Sequence, residues 1–360
     1  MEVFSCKTNI IAGEGTLAEL GKLGARRVFL VTDPFFRENG TAQRVAELTG
    51  AQTVEIFDRV VPDPSVTLAA EGAARFREVK PDLLVALGGG SAMDCAKAIG
   101  YFGGGDYLLA AVPTTSGSGS EVTDFAILTH AGVKHPLVDE KLRPDIAILD
   151  GQLLKKLPKG LIADSGFDVL AHALEACVGT KGGSITGCLA REAARMAFQA
   201  LPGSFAGDLS QRLPMHKAAT LAGLAFNQGG LGLCHALSHA LGGAFHVPHG
   251  RLNAVLLPAV VGINAAAGLA QYARLARAAG FSASSDTMAV RELTNGLVRL
   301  RKQLQLPATL AEAGVELKAL RQQEQQIVEA ALADPCCRTN PVKPEANLLR
   351  QILLQVSGRG

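Results

Sequence analysis

The segment DLLVALGGGS, residues 82–91, decides the fold that this sequence predicts. Its apolar run is typical of a buried strand, and it stops at three consecutive glycines before a helical pattern over Ala92–Ile99. A strand followed by a helix in this way indicates a βαβ unit and a parallel sheet. The glycines let backbone N–H groups approach a ligand, and the helix N-terminus adds unpaired donors, which suits a pyrophosphate. An ordinary strand-to-helix turn is the alternative, because the G-x-G-x-x-G order is absent.

The pattern on either side of this segment divides the chain in two. Further strands are predicted at 27–33, 53–57, 107–113 and 145–150, all before residue 151. From about residue 159, apolar residues recur with helical spacing. We therefore predict an α/β dinucleotide-binding domain over residues 1–158 and an all-α domain over 159–360, with the boundary near LPKG. The predicted helical windows are 160–179, 185–201, 211–228, 231–244, 286–305 and 315–333.

Composition restricts the possible partners. The 360 residues carry 35 Lys and Arg against 33 Asp and Glu, so no single-sign charge favours nucleic acid or a membrane surface. The apolar stretch 254–270 is interrupted by Pro258, Gly262 and Asn264, which predicts a core helix rather than a membrane span. No signal peptide is evident, and the seven cysteines are scattered without a CxxC pair, which indicates reduced thiols in a cytoplasmic protein.

Two other features at strand ends point to a cofactor. The loop 113–121, PTTSGSGSE, is rich in hydroxyls and glycines and follows the strand next along the chain, although it could also be a flexible polar loop. Asp33 ends the first predicted strand. A carboxylate there can accept bonds from an adenosine ribose and repel a 2′-phosphate, which favours NAD over NADP, but it could equally cap the next helix.

Aspartate and histidine recur at metal-ligand spacing in the helical half. Asp168 and His172 are four residues apart, and His235 and His239 repeat that spacing, so each pair shares one helix face. His249 follows in the segment AFHVPHG. One carboxylate with several imidazoles suits Zn or Fe(II), whereas the HExxH pattern of a metalloprotease is absent.

Four segments carry most of the features described so far: GGGSAMDCAKAIG (88–100), PTTSGSGSEVT (113–123), GFDVLAHALEA (166–176) and GLGLCHALSHALGGAFHVPHG (230–250). Together they resemble the successive signatures of the iron-containing (group III) alcohol dehydrogenases, and the resemblance extends over nearly the whole chain. Four other segments are similar to the 1-propanol dehydrogenase branch found in bacterial microcompartments: VPDPS (61–65), KHPL (134–137), PDIAILD (144–150) and ALADPCCRTNP (331–341).

The resemblance implies the dehydroquinate synthase-like fold and a set of site residues. It implies that Asp168, His172, His235 and His249 hold the metal, and that His239 relays a proton or positions the substrate. His246 matches no ligand of the family. The implied cofactor residues are Asp33, Asp63, Gly89, Gly90, Ser91, Asp94, Thr114, Thr115, Ser118, Thr123 and Lys134, and the implied pocket residues are Phe125, Phe226 and Cys336.

The same resemblance implies an NAD(H)- and Fe(II)-dependent alcohol dehydrogenase, with Zn(II) as the other candidate ion. Its substrates would be short aldehydes and primary alcohols, with propanal and 1-propanol first. It also implies a homodimer or larger assembly in the cytoplasm or inside a microcompartment, with an aldehyde dehydrogenase or shell proteins as partners. Two alternatives stay open at this point: an NAD- and Zn-dependent non-redox enzyme of the same fold, and a microcompartment-associated binding protein.

Overall fold

The computed structural model describes residues 3–130 and 133–358 and divides the chain into two compact units. One unit is Ser5–Leu157, and the other comprises the residues from Pro158 onward together with the first residues of the chain. The division follows Leu157, one residue before the boundary that the sequence predicts at 158/159. The α/β and all-α characters of the two units agree with the predicted fold class.

A parallel sheet forms the centre of the first unit. Its strand order is β1–β8–β5–β4–β2–β3, and each neighbouring pair is parallel. Val28–Val31 and Leu83–Leu87 are buried on both faces, as expected for a parallel sheet covered by helices. The strands are β1 (Asn9–Gly13), β2 (Arg27–Val31), β3 (Thr53–Phe57), β4 (Leu83–Gly88), β5 (Leu108–Pro113), β6 (Phe125–His130), β7 (Val133–Val138) and β8 (Ile146–Asp150).

Three of these strands were not predicted from the sequence. β1 lies at the sheet edge and is partly exposed, so it lacks the continuous apolar run of the central strands. β6 and β7 form a separate antiparallel hairpin, and β7 is almost wholly exposed. The helices of this unit are α1 (Pro34–Glu38), α2 (Thr41–Leu48), α3 (Val66–Val79) and α4 (Gly90–Gly103).

Helices form the second unit, in which α5 and α6 pack against each other and each packs against both α7 and α9. The predicted windows correspond to α5, α6, α7, α8, α10 and α11, whereas α12 was missed. The helices are α5 (Lys159–Val178), α6 (Ser184–Ala206), α7 (Arg212–Gly229), α8 (Leu233–Phe245), α9 (His249–Ala278), α10 (Asp286–Gln303), α11 (Leu317–Ala333) and α12 (Ala346–Ser357).

α9 is longer than the core helix predicted within 254–270. It includes Pro258, and its helical geometry is interrupted at Gly268. By length and apolar composition alone α9 could cross a membrane, but 61% of its most apolar window is buried inside the structure. It packs against α5 and α10, which accounts for its apolar character.

Candidate metal centre and cofactor loops

Three helices of the second unit bring the predicted metal ligands together. Asp168 and His172 lie one turn apart in the middle of α5, and His235 lies in the first turn of α8. His249 is the first residue of α9 and directly follows the N-cap residue Pro248. Helical spacing places Asp168 and His172 on the same face of α5. The packing of α5 against α8 and α9 then brings the residues of the three helices together.

The imidazole Nε2 atoms of three histidines converge on one carboxylate oxygen. Asp168 Oδ1 lies 3.4 Å from His249 Nε2, 3.5 Å from His235 Nε2 and 3.8 Å from His172 Nε2. A tetrahedral ion with bonds of about 2.1 Å holds its ligand atoms about 3.4 Å apart. In addition, His235 Nε2 is buried and makes no hydrogen bond among the residues that the structure describes. The donor types fit a divalent metal ion, and the donor atoms of Asp168, His235 and His249 all lie within 4.8 Å of one another.

Burial and neighbouring charges shift the pKa values of the predicted ligands. Burial alone would raise the pKa of Asp168, but the surrounding imidazoles lower it well below the usual range of a carboxyl group. Burial strongly lowers the pKa of His249, which favours the neutral ring that a metal requires. For His235, burial alone would lower the pKa, but the carboxylates of Asp168 and Glu175 beside its two ring nitrogens raise it to about 9. A buried carboxylate among imidazoles thus attracts either protons or a cation.

Two residues next to this cluster were missed by the sequence analysis. Asn253 Nδ2 donates to Asp168 Oδ1 at 2.8 Å and lies 3.1 Å from His249 Nε2. Glu175 Oε2 lies 2.6 Å from His235 Nδ1. Helical spacing could have identified both residues, because Asn253 follows His249 by four residues and Glu175 follows His172 by three.

His239 lies beside the metal cluster with a carboxylate partner of its own. Its ring stacks on that of His249 with centroids 5.1 Å apart, and its Nδ1 lies 2.8 Å from Asp334 Oδ2. Burial alone would raise the pKa of Asp334, but the hydrogen bond and charge of His239 lower it to about 2. Asp334 is 95 residues away in sequence, so no local pattern could have paired the two.

The other histidine and pocket residues take different positions. His246 is exposed and ends α8 in the left-handed conformation. Phe226 is buried and stacks on the His172 ring with centroids 4.3 Å apart. Cys336 is partly buried, and its backbone N–H donates to Asp334 Oδ1. The cluster of His239, Asp334 and Cys336 places the last of these near the proposed proton-transfer group.

In the first unit, the two predicted loops face each other at the ends of β4 and β5. Gly88 has a positive φ of 148°, and a Cβ there would lie 2.6 Å from that of Ala92. A Cβ on Gly89 would contact Thr115, and one on Gly90 would contact the Ser118 side chain. α4 starts directly at this point, with Gly89 as its N-cap and no side chain covering the backbone donors. This arrangement leaves the N–H groups available to a phosphate.

Asp33 caps α1, which is one of the two roles that the sequence predicts for it. Its Oδ1 accepts from Phe36 N at 3.2 Å, and burial raises its pKa. Its Oδ2 lies 3.7 Å from the position of a Cβ on Gly88, at the same edge of the sheet as the glycine loop. Asp63 and Lys134 form an exposed ion pair of 2.6 Å.

Some of the predicted cofactor residues build the loop. The fully buried Lys97 donates through Nζ to Ser120 Oγ, to Thr123 and to the Phe125 carbonyl, and desolvation lowers its pKa to about 8. Asp94 accepts from Ser120 Oγ and from a β6 amide. Thr114 and Thr123 are buried, whereas Ser91, Thr115 and Ser118 are partly exposed.

A cavity of about 710 Å³ in the second unit is separate from the predicted metal ligands. Lys159, Arg251, Arg301, Lys302 and Glu312 contribute to its lining, but none of the predicted metal ligands does. The converging side chains, rather than this cavity, therefore define the candidate site.

Similarity to known proteins agrees with this geometry. Residues 7–151 match the iron-containing alcohol dehydrogenase model, and residues 162–356 match that of the C-terminal part of the Fe-containing alcohol dehydrogenase family. The 1-propanol dehydrogenase PduQ of Citrobacter freundii is 39% identical over 98% of this chain and 99% of its own. The NADPH-dependent butanol dehydrogenase of Clostridium saccharobutylicum is 33% identical over 97% of this chain and 96% of its own.

A solved structure shows the same fold. The iron-containing alcohol dehydrogenase of Thermococcus thioreducens superposes with a TM-score of 0.91 at 33% identity, covering 98% of this chain and 99% of that one. These matches favour an oxidoreductase over the non-redox enzyme and the binding protein that the sequence left open. The chain belongs to the iron-containing alcohol dehydrogenase family, on the branch of the 1-propanol dehydrogenases, and is an oxidoreductase.

Proposed function

We propose that this chain is an NAD(H)- and Fe(II)-dependent dehydrogenase that interconverts short aldehydes and primary alcohols, with propanal and 1-propanol as the first pair. The observation that carries the proposal is the convergence of three imidazole Nε2 atoms on Asp168 Oδ1 at 3.4–3.8 Å. Asp168, His172, His235 and His249 would hold the ion. When bound, the ion supplies a Lewis acid that polarises the substrate oxygen.

The proton that the alcohol oxygen gains on reduction is assigned to His239. Its Nδ1 is held by Asp334 at 2.8 Å, which leaves Nε2 as the atom that exchanges a proton. Stacking on His249 fixes the ring next to the proposed metal site. His239 is 32% exposed at its side chain, so its proton can be replenished from solvent.

The cofactor is proposed to be NAD(H), which supplies the hydride. Gly89, Gly90, Ser91, Thr115 and Ser118 would contact its phosphates at the ends of β4 and β5. Asp63, Asp94, Thr114, Thr123 and Lys134 remain proposed contacts or supports of the same loops. Asp33 supports NAD over NADP because a carboxylate at this edge would repel a 2′-phosphate. Because the related butanol dehydrogenase of Clostridium saccharobutylicum is named as NADPH-dependent, the test of function compares NADH with NADPH.

The substrate is proposed from the relatives and from three side chains. Phe125, Phe226 and Cys336 are the proposed pocket residues, and their apolar or weakly polar character suits a short aliphatic chain. One methylene changes discrimination by only ~1–3 kcal/mol, so ethanal and butanal are expected to react more slowly rather than not at all. We further propose a cytoplasmic homodimer or larger assembly that associates with a microcompartment through shell proteins or an aldehyde dehydrogenase, as the branch resemblance suggests.

The experiment that tests the function is anaerobic NADH oxidation with propanal. Protein stripped of metal is loaded separately with Fe(II) and with Zn(II), and NADPH replaces NADH in a parallel series. Turnover with Fe(II) and NADH that a chelator abolishes would support the proposal. Activity with Zn(II) alone would overturn the choice of ion, and a preference for NADPH would overturn the role of Asp33. No turnover with any short aldehyde would overturn the proposed reaction.

A further inference from the structure

Glu175 makes several hydrogen bonds beside the proposed metal site. It lies on α5 seven residues after Asp168, and its side chain is 1% exposed. Its Oε1 accepts from Cys234 N at 2.6 Å, and its Oε2 accepts from Gly232 N at 2.9 Å. Oε2 also lies 2.6 Å from His235 Nδ1. One buried carboxylate thus connects α5 to the first turn of α8.

These contacts serve as the cap of α8. The N-cap residue Gly232 has no side chain to offer, and the first turn has orphan N–H groups like every helix N-terminus. Glu175 accepts two of these donors, and Asn340 Oδ1 accepts that of Leu233 at 3.2 Å. A Cβ on Gly232 would lie 2.5 Å from Asn340 Oδ1 and 2.9 Å from Glu175 Oε1, so the glycine permits the close approach. A carboxylate also complements the positive end of the helix dipole.

The same carboxylate decides which nitrogen of His235 is available. A carboxylate only accepts hydrogen bonds, so His235 Nδ1 carries the proton that it donates to Glu175. The lone pair of the neutral ring is then on Nε2, which points toward Asp168 Oδ1 at 3.5 Å. A metal ligand needs this arrangement, in which the second ring nitrogen is fixed by a hydrogen bond.

We infer that Glu175 is the positioning residue of the metal centre: it fixes the tautomer and the ring orientation of His235 while it caps α8. The inference rests on the proposed metal site and extends it to the strength of metal binding. Glu175 would not touch the ion or the substrate. It would act through His235, and its loss would lower metal affinity.

The test compares zinc binding by Glu175→Gln with that of the wild type, measured by competition with a chromophoric chelator. An amide keeps the size of the side chain but places an N–H donor within this set of donors. Loss of such an outer hydrogen bond lowers metal affinity by about 10- to 100-fold, and we expect this range. The visible spectrum of the Co(II)-loaded protein should change as well, because it reports the ligands and their geometry.

Asn340→Ala is the matched control. It removes the other side-chain acceptor at the N-terminus of α8 and leaves the contact between Glu175 and His235. Its zinc affinity and Co(II) spectrum should stay close to those of the wild type even if its stability falls. Equal loss of zinc affinity in both variants would overturn the inference, because a general weakening of α8 would then be the cause.

Glu175→Asp tests the inference if Glu175→Gln does not fold. It keeps the charge but shortens the side chain, so the hydrogen bond to His235 Nδ1 should be lost and zinc affinity should fall. If the variant that folds binds zinc as tightly as the wild type, the inference is overturned. A wild-type protein that binds neither zinc nor Fe(II) would overturn the proposed metal site together with it, which separates the two failures.

Discussion

At the scale of single residues, Asp168 Oδ1 is the atom around which the candidate metal centre is arranged. Three imidazoles face it, and Asn253 donates to it at 2.8 Å. A buried carboxylate with so many partners is stable only when its charge is balanced. The imidazoles provide this balance by taking up protons or by sharing a divalent ion, which is why the cluster fits a metal.

His249→Asn tests this arrangement against a matched variant, His246→Asn. Loss of the His249 ligand should lower turnover more than about a hundredfold, because even loss of an outer contact costs about 10- to 100-fold. His246 is exposed and left-handed, a conformation that asparagine tolerates, so its variant should keep wild-type turnover and metal content. Measured turnover and bound metal check both. Full activity of His249→Asn would contradict its assignment as a ligand.

Asp334→Asn tests the proposed proton transfer through His239. An amide can present an N–H to Nδ1 and thereby favour the tautomer with the proton on Nε2. Since general acid–base catalysis contributes about 10²–10⁴-fold, we expect kcat to fall by about a hundredfold at unchanged metal content. Steady-state kinetics with metal analysis measure this effect. An unchanged kcat would show that the hydrogen bond between Asp334 and His239 has no part in the reaction.

At the scale of elements, the site depends on how closely α5 and α9 approach. A Cβ on Gly250 would lie 2.0 Å from the Asp164 carbonyl oxygen of α5, a distance that no contact tolerates. Gly250 follows His249, and Asp164 lies one turn before Asp168. The absence of a side chain at one position therefore sets the separation of the two helices that carry the ligands.

Gly250→Ala should lower the free energy of unfolding by about 2–3 kcal/mol, because overpacking forces the two backbones apart. The same substitution at Gly243 in α8, where a Cβ would contact nothing within 4 Å, should instead raise it by about 0.5–1 kcal/mol. Urea unfolding of both variants checks the pair. If they unfold at the same urea concentration, the helix contact at Gly250 is not the constraint described here.

At the scale of the whole molecule, the chemistry is divided between two compact units. Ser5–Leu157 carries the glycine loop and the hydroxyl-rich loop, and the unit from Pro158 onward carries the candidate metal centre. Each unit has its own core and its own expected ligand. Ligands that bind only the folded state stabilise it by mass action, so each should raise the stability of the unit that holds it.

Metal removal should therefore lower the thermal stability of the protein. Zinc at a hundred times its dissociation constant should add about 2.7 kcal/mol to the free energy of unfolding of the metal-binding unit. Thermal unfolding of the stripped protein with and without zinc measures the effect, and His249→Asn should show a much smaller rise. A wild-type Tm that zinc leaves unchanged would contradict the proposed site.

The spacing of the candidate site residues in the sequence reflects short-range rules. Residues four apart share a helix face, so the pairs Asp168 with His172 and His235 with His239 could be recognised from their spacing. The apolar runs of the central strands identified the parallel sheet for a similar reason, because both faces are buried. The exposed hairpin and the edge strand gave no such signal and were missed.

What the sequence by itself determined is the fold class, the family and the candidate metal ligands, because these depend on spacing, strand runs and motifs along the chain. Only the tertiary structure decided the partners of those residues. Glu175 is 60 residues from His235, and Asp334 is 95 from His239, so their hydrogen bonds arise from packing between separate helices. Helical period fixes directions within one segment, but contacts between segments follow from how the core packs, which no local pattern records.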